Sequence, residues 1–376
     1  MEARHPRGSR FRQLVSLYFH IPFCAKKCPY CHFYVIPNRL ESHETLDSAL
    51  LLEWEQNLPL LQDKEIASIY FGGGTPTLFA PKGIEKILSR IRASIKLAPD
   101  CEITIEGNPE DVSYSLFSDL FSIGVNRLSL GVQSLDDRSL QMLERIHSAE
   151  KAKSAILDAK KAGFDNISID LMYDLPDQTQ ESWNYTLDQL PSLSITHLSL
   201  YNLTIEPHTA FHKRQIKTPN NETSLGFLTS ALRKLNEIGL KRYEISAFAK
   251  EGFMSRHNLG YWTARPFLGF GPSAFSYWEK ERFKNVSHLK KYATLLQNKE
   301  SPVDFRERLS DSASARELLA VRLRLTEGVD LNSFNLEIED TIENLNSQGL
   351  AERQGSRLIL TERGKLFYDT VATEII

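Results

Sequence analysis

Short β-rich runs alternate with amphipathic stretches along the first two hundred residues of the chain. The runs are LVSLYFHI (14–21), IASIYFG (66–72), EITIE (102–106), RLSLGVQ (127–133), NISIDLMY (166–173) and HLSLYNLTI (197–205). Between them, TLDSALLLEWEQNL, PKGIEKILSRIRASI, YSLFSDLFSIG and AEKAKSAILDAKKAG repeat apolar residues at helical spacing, and several end near glycine. Strand and helix in alternation mean βα units on a parallel sheet. Six such units are too many for a small doubly wound sheet and too few for an eight-unit barrel. The pattern predicts an α/β fold built as an open, partial (β/α)6 barrel, with a Rossmann-like sheet as the alternative. In either fold the functional face lies at the carboxyl ends of the strands.

The patterning changes twice after this core, which spans 14–250. Residues 251–305, including EGFMSRHNLGYWTARPFLGFGPSAFSYW, are rich in glycine, aromatics and turn formers. They read as a long structured loop that covers the barrel. Over 306–376 the order becomes helix, helix, helix, wing. The helices are SARELLAVRLRL, NSFNLEIED and TIENLNSQGL, and AERQGSRLILTERG is the wing. This winged-helix-like module has mixed charges and no basic recognition stripe, so it reads as a packing unit rather than a DNA reader. Residues 1–13 are basic and lack the apolar stretch of a secretory signal. They read as a disordered, solvated tail.

Charge and cysteine content narrow the function classes. The 376 residues carry a net charge of −3, which gives no global field for nucleic acid. No apolar run is long enough to span a bilayer. The expected location is cytoplasmic, with membrane contact only through a partner. Four cysteines in so long a chain do not make a disulfide framework. Cys101 stands alone before a strand and reads as a small core residue.

The other three cysteines crowd into CAKKCPYCHF (24–33). C-x-x-C-H is a haem-attachment pattern, but that chemistry belongs to exported proteins. Three thiols with His20 or His32 would suit zinc. The C-x3-C-x2-C spacing of Cys24, Cys28 and Cys31 suits a [4Fe–4S] cluster, and it sits on the rim after the first strand. Three thiolates leave the fourth iron open to chelate a small molecule, and the amino and carboxylate groups of S-adenosylmethionine (SAM) form such a chelate. In FGGGTPT, Gly72, Gly73 and Gly74 follow the second strand, where their backbone can approach a ligand. No G-K-[ST] follows, so this is not a Walker loop. Glu106, Gln133 and Asp170 lie near later strand ends and suggest a polar pocket for an adenosyl ligand. Tyr18 would flank the cluster. Arg145, expected on the helix after the fourth strand, would meet the SAM carboxylate. In HNLGYW (257–262), His257 has two readings: a haem ligand flanked by Tyr261 and Trp262, or a loop histidine bonded to backbone.

Together these motifs resemble the radical SAM family. CAKKCPYC after YFHIPF is similar to its signature, and GGGTPT, EGNPE, GVQS, LERIH and IDLMYDLPDQT resemble the coproporphyrinogen-oxidase-like branch. The resemblance implies a cluster on Cys24, Cys28 and Cys31. It implies SAM bound by Tyr18, Gly73, Gly74, Thr75, Glu106, Gln133, Arg145 and Asp170. It also implies an electron donor such as a flavodoxin or ferredoxin. The branch holds an oxygen-independent coproporphyrinogen III oxidase and a haem chaperone that delivers haem to an acceptor protein. The oxidase pattern has a further cysteine where this chain has Phe33, and HNLGYW resembles the chaperone's H-N-x-x-Y-W, with His257 as haem contact. The resemblance therefore implies a haem chaperone, with the oxidase as alternative. Asp174 departs from the family, which has glycine there; aspartate tolerates positive φ better than most residues.

Overall fold

The computed structural model describes residues 13–376. Of the expected basic tail, residues 1–12 lie outside the described part, and Gln13 already opens the first strand. Six parallel strands follow in sequence order: β1 (Gln13–Ile21), β2 (Lys64–Gly73), β3 (Leu97–Gly107), β4 (Arg127–Gln133), β5 (Asn166–Tyr173) and β6 (His197–Asn202). Each pairs with the next, so the sheet curls without the order reversal of a Rossmann sheet. β1 and β6 do not pair, and the partial barrel stays open.

Along each strand the side chains alternate in chemistry as well as in direction. Val15, Leu17, Phe19 and Ile21 of β1 join Ile69, Phe71, Ile103, Ile105, Leu128, Leu130, Ile167 and Ile169 in one continuous buried core. The helices Leu40–Leu61, Lys82–Ser94 and Ala149–Lys161 bury Leu50, Ile87 and Ile156 in that core. The residues between are polar: Ser16, Tyr18, Ser68, Tyr70, Glu102, Glu106, Arg127, Ser129, Ser168 and Asp170. With a period of two, they fall on the opposite, inner face. Buried polar groups need partners, and these find one another. Ser68 Oγ lies 2.9 Å from Ser16 Oγ, Ser168 Oγ 2.8 Å from His197 Nδ1, and the Tyr70 hydroxyl donates to Glu106 at 2.7 Å. The barrel interior is a polar shaft.

The sheet continues beyond these six strands, and much of 251–305, expected as a covering loop, joins it. Lys241–Arg242 (β7) and Ala247–Ala249 (β8) are antiparallel strands beyond β6. After the helix Arg256–Trp262, Phe267–Phe270 (β9) pairs parallel to β1. A meander of Phe275–Trp278 (β10), Glu281–Asn285 (β11) and Val303–Arg308 (β12) completes twelve strands. Short apolar-polar alternation, as in FSYW, makes strands rather than loop even where glycine is frequent.

The C-terminal part has its own core of Leu319, Ile342, Leu345, Leu350, Leu358, Leu360 and Val371. Asp311–Arg322 and Glu339–Ser347 are helices, and Ala351–Gln354 with Arg357–Leu360 form the wing. NSFNLEIED is not the helix its apolar residues suggest. Only the single turn Leu331–Ser333 forms, because Asp330 and Ser333 bond local backbone in place of a helical ladder.

Candidate functional site

Cys24 ends a two-residue strand, Phe23–Cys24, that pairs with Ile36–Pro37. That pairing closes the loop that carries Cys28 and Cys31 along the rim. The Cys31 N–H donates to the Cys28 carbonyl at 3.1 Å. All three thiols are partly exposed and line one cavity of about 530 Å³. Gly73, Gly74, Thr75, Glu106, Gln133, Arg145 and Asp170 line the same cavity. Tyr18 is placed elsewhere. Its hydroxyl lies 3.1 Å from His20 Nδ1, and its ring stacks on Tyr70 behind the wall. Cys101 is buried in the core.

The glycine turn serves the cysteine loop. Gly73 has φ +109°, and a Cβ there would approach the His20 ring to 2.5 Å. A Cβ on Gly74 would fall 2.6 Å from the Phe23 carbonyl oxygen. With no side chain in the way, the Gly74 N–H donates to Ile21 O at 2.9 Å and the Thr75 N–H to Phe23 O at 2.6 Å. Gln133 stands at φ +66° beyond a register shift in β4. A non-glycine residue in the left-handed region carries backbone strain that the surrounding structure must hold. Asp174 also takes φ +63°, and its carboxylate accepts from Ser224 Oγ at 2.7 Å.

Two carboxylates give the cavity its acidic wall. Glu106 accepts from Tyr70 and, at 3.1 Å, from the Gly73 N–H. Burial, reinforced by Asp170, pushes its carboxyl up to about 7. Burial also pushes Asp170 up to about 6, although Ser199 and Ser129 donate to it. Arg145 lines the same cavity. It lies in the turn after a short helix, Asp137–Met142, and not on a helix. The chain leaves the helix through Glu144 at φ +52°. Its guanidinium donates to Cys28 Sγ at 3.3 Å, Asn108 Oδ1 at 2.6 Å and Gly131 O at 3.0 Å. Asn108 donates in turn to Thr75 Oγ1 at 2.9 Å, and Thr75 to Cys24 Sγ at 3.6 Å. A single chain of hydrogen bonds thus ties Cys24 to Cys28 across the cavity. Glu110 backs Arg145 at 3.8 Å and bonds His147 at 2.7 Å.

The donor set fits the expected groups. Burial pushes the Cys24 thiol up to about 11, so it stays protonated until a metal takes the proton's place. Among the described residues, no three His, Cys, Asp or Glu side chains converge as around a single ion. His20 is unsuited to zinc, since Tyr18 and the Tyr34 carbonyl engage its two nitrogens. Arg145 lines the cavity with its guanidinium 3.3 Å from Cys28 Sγ, a positive charge that favours a carboxylate there. Glu106 and Asp170 offer acceptors to an amino group and to hydroxyls.

His257 is not at the cavity. It is buried on the inner wall, with Nδ1 2.9 Å from Ser68 Oγ and Nε2 2.8 Å from the Tyr261 hydroxyl. Burial, with Arg265 and Arg127 nearby, pushes it down to about 3, so it is neutral. Its partners are side chains, not the backbone of a loop. Asn108, Glu110 and Tyr70 escape sequence reasoning. Their signal is the period-two run of polar residues along the strands, continued by EGNPE past the end of β3.

Residues 18–190 match the family model of the radical SAM superfamily, and residues 309–367 that of the HemN C-terminal domain. A cysteine triplet on the rim of a partial barrel, facing this polar cavity, is the arrangement of a radical SAM protein. The chain is 33% identical to "Radical S-adenosyl methionine domain-containing protein 1, mitochondrial" of Danio rerio, over 93% of this chain and 82% of that one. It is 35% identical to the heme chaperone HemW of Haemophilus influenzae, over 94% of this chain and 95% of that one. The solved coproporphyrinogen III oxidase (HemN) of Escherichia coli shares the fold with a TM-score of 0.85 and 25% identity, over 97% and 90% of the two chains. The chain belongs to the radical SAM superfamily, in the HemN-like family that includes the HemW haem chaperones. No helix of the described residues is long and apolar enough to cross a membrane.

Proposed function

We propose that the protein is a haem chaperone that binds haem, passes it to an acceptor protein and carries a [4Fe–4S] cluster and SAM. The observation that carries this reading is the likeness to heme chaperone HemW over 94% of this chain and 95% of that one. Cys24, Cys28 and Cys31 would hold the cluster. Gly73, Gly74, Thr75, Glu106, Gln133, Arg145 and Asp170 would hold SAM, with Tyr18 stiffening the wall behind Glu106. When bound, the two groups supply one-electron chemistry, fed by a donor such as a flavodoxin or ferredoxin. Arg145 would orient the SAM carboxylate, and Glu106, once it has lost its own proton, would accept a hydrogen bond from the SAM amino group. The working compartment is the cytoplasm, no nucleic acid is needed, and a membrane is met only through the acceptor.

His257 is the proposed haem contact, and its surroundings set a condition. Its Nε2 must leave the Tyr261 hydroxyl, and the helix Arg256–Trp262 must turn outward, before it meets iron. The second reading, oxidative decarboxylation of coproporphyrinogen III, draws on the shared fold with HemN. Phe33 speaks against it, since an exposed ring occupies the place of the oxidase's further cysteine. The deciding experiment supplies reconstituted protein with reductant, SAM and coproporphyrinogen III, and separately titrates haem. Haem binding that weakens in His257→Ala, with no protoporphyrinogen IX formed, is the expected result. Product accumulating over many turnovers overturns the chaperone reading.

A further inference from the structure

The cysteine loop is the centre of a local basic surface in a chain whose net charge is −3. Lys26 and Lys27 stand exposed between Cys24 and Cys28. The segment after β6 returns to this loop. The Phe211 N–H donates to Pro29 O at 3.0 Å, and Phe211, with the partly buried Tyr30 and Ile216, belongs to one small apolar cluster. That anchoring brings Lys213, Arg214 and Lys217, all exposed, beside the loop. Glu144 bridges Lys26 at 3.0 Å and Arg214 at 2.6 Å. Among the described residues, Lys27, Lys213 and Lys217 have no carboxylate partner.

Two apolar side chains complete the patch. Phe33 is 55% exposed and Ile146 59% exposed. The Lys27 ammonium reaches Phe33 O at 3.3 Å, so charge and ring share one spot. An apolar centre with a charged rim is the anatomy of a protein interface. Electron-transfer encounters are small and weak, and they rely on charge to orient the partners.

We propose that this surface docks an acidic one-electron carrier protein and sets its redox centre over the cysteine loop. The inference rests on the radical SAM reading of the site, which requires a one-electron reductant. One electron leaves the carrier, which is oxidised by one, and enters the cluster, which is reduced by one; no bond is made or broken. Lys27, Lys213 and Lys217 steer the carrier by long-range attraction. Phe33 and Ile146 form the contact left once water is expelled.

The test uses an acidic flavodoxin as probe and the holoprotein in three forms: parent, Lys27→Glu/Lys213→Glu/Lys217→Glu, and Lys213→Glu/Lys217→Glu. The double variant leaves the cysteine loop untouched and guards against a loading defect. Iron content and reduction by dithionite should match in all three. Flavodoxin binding and the rate of cluster reduction by flavodoxin should fall at least roughly tenfold in the triple variant at low salt, less in the double one. The gap should close as salt rises. Equal binding and equal rates in all three forms overturn the proposal, as does a gap that salt does not touch. If flavodoxin traffic is unaffected while haem transfer to an acceptor fails, the surface belongs to the acceptor and the proposal falls. A parent protein that takes up no cluster sinks the underlying reading instead.

Discussion

At the scale of single residues, the cavity is organised by Arg145 and the groups that hold it. Asn108 takes a guanidinium hydrogen bond at 2.6 Å and passes the constraint to Thr75. Asn108→Ala leaves a buried cationic donor unsatisfied, a loss of about 1–3 kcal/mol. Calorimetry should show SAM binding weakened roughly tenfold, with cluster content unchanged. Charge on the acidic wall depends on pH. Glu106 is pushed up to about 7 and Asp170 to about 6 in the ligand-free protein. Their raised values favour the folded state below the ordinary carboxylate range, and that contribution fades as pH rises through 6 and 7. A cationic ligand reverses the preference, because it needs the ionised form. SAM should therefore bind more tightly as pH rises from 5.5 to 8, by about tenfold or more. Glu106→Gln should flatten most of that slope; a slope unchanged in this variant would locate the titration elsewhere.

At the scale of elements, the helix Arg256–Trp262 is a short insert held from its N-terminus. The Glu102 carboxylate accepts from the Arg256 and His257 N–H groups, each at 3.0 Å, and from Ser255 Oγ at 3.4 Å. It also lies 3.9 Å from the buried Arg127 Nε. Glu102→Ala removes three acceptances and strands a buried cation, which costs about 3–5 kcal/mol. Urea denaturation should show that loss. Milder Glu102→Gln should keep the fold and speed amide exchange over 256–262. If the helix must turn outward for haem to reach His257, Glu102→Gln should also quicken haem uptake. The helix itself was not legible in the sequence. Seven residues between glycine-rich stretches carry little periodicity, and the acid that caps it lies more than a hundred and fifty residues away.

At the scale of the whole molecule, the C-terminal module folds around its own core and meets the barrel through a few groups. Arg324 stacks 4.4 Å from the Trp262 ring centroid and reaches Glu244 at 3.5 Å. Thr326 Oγ1 donates to the Tyr243 carbonyl at 3.2 Å. The cation thus links the module to the same helix that carries His257. Arg324→Ala should raise amide exchange over both 256–262 and 319–326, while the strands β1–β6 stay protected. Exchange confined to the module would show that the two parts are not coupled through this residue.

The order of the chain determined much of this protein by itself. Strand and helix periods follow from local spacing, so the six parallel strands and their rim were readable, and with them the place of Cys24, Cys28 and Cys31. Residues close in sequence to a strand end, such as Gly73, Glu106 and Gln133, came with that rim. What the tertiary structure decided are the contacts between distant segments. β9 lies beside β1 because Phe267–Phe270 pairs with a strand some two hundred and fifty residues earlier, which no local pattern encodes. Tyr18 was drawn behind the wall by His20 and Tyr70. Arg145 reached the cavity from a turn rather than a helix. His257, which the HNLGYW motif marks as a ligand, was turned inward to Ser68 and Tyr261. The physical reason is common to all four. A motif states which chemistry a residue can perform, but a buried polar group goes where its partners are, and partners are supplied by the fold.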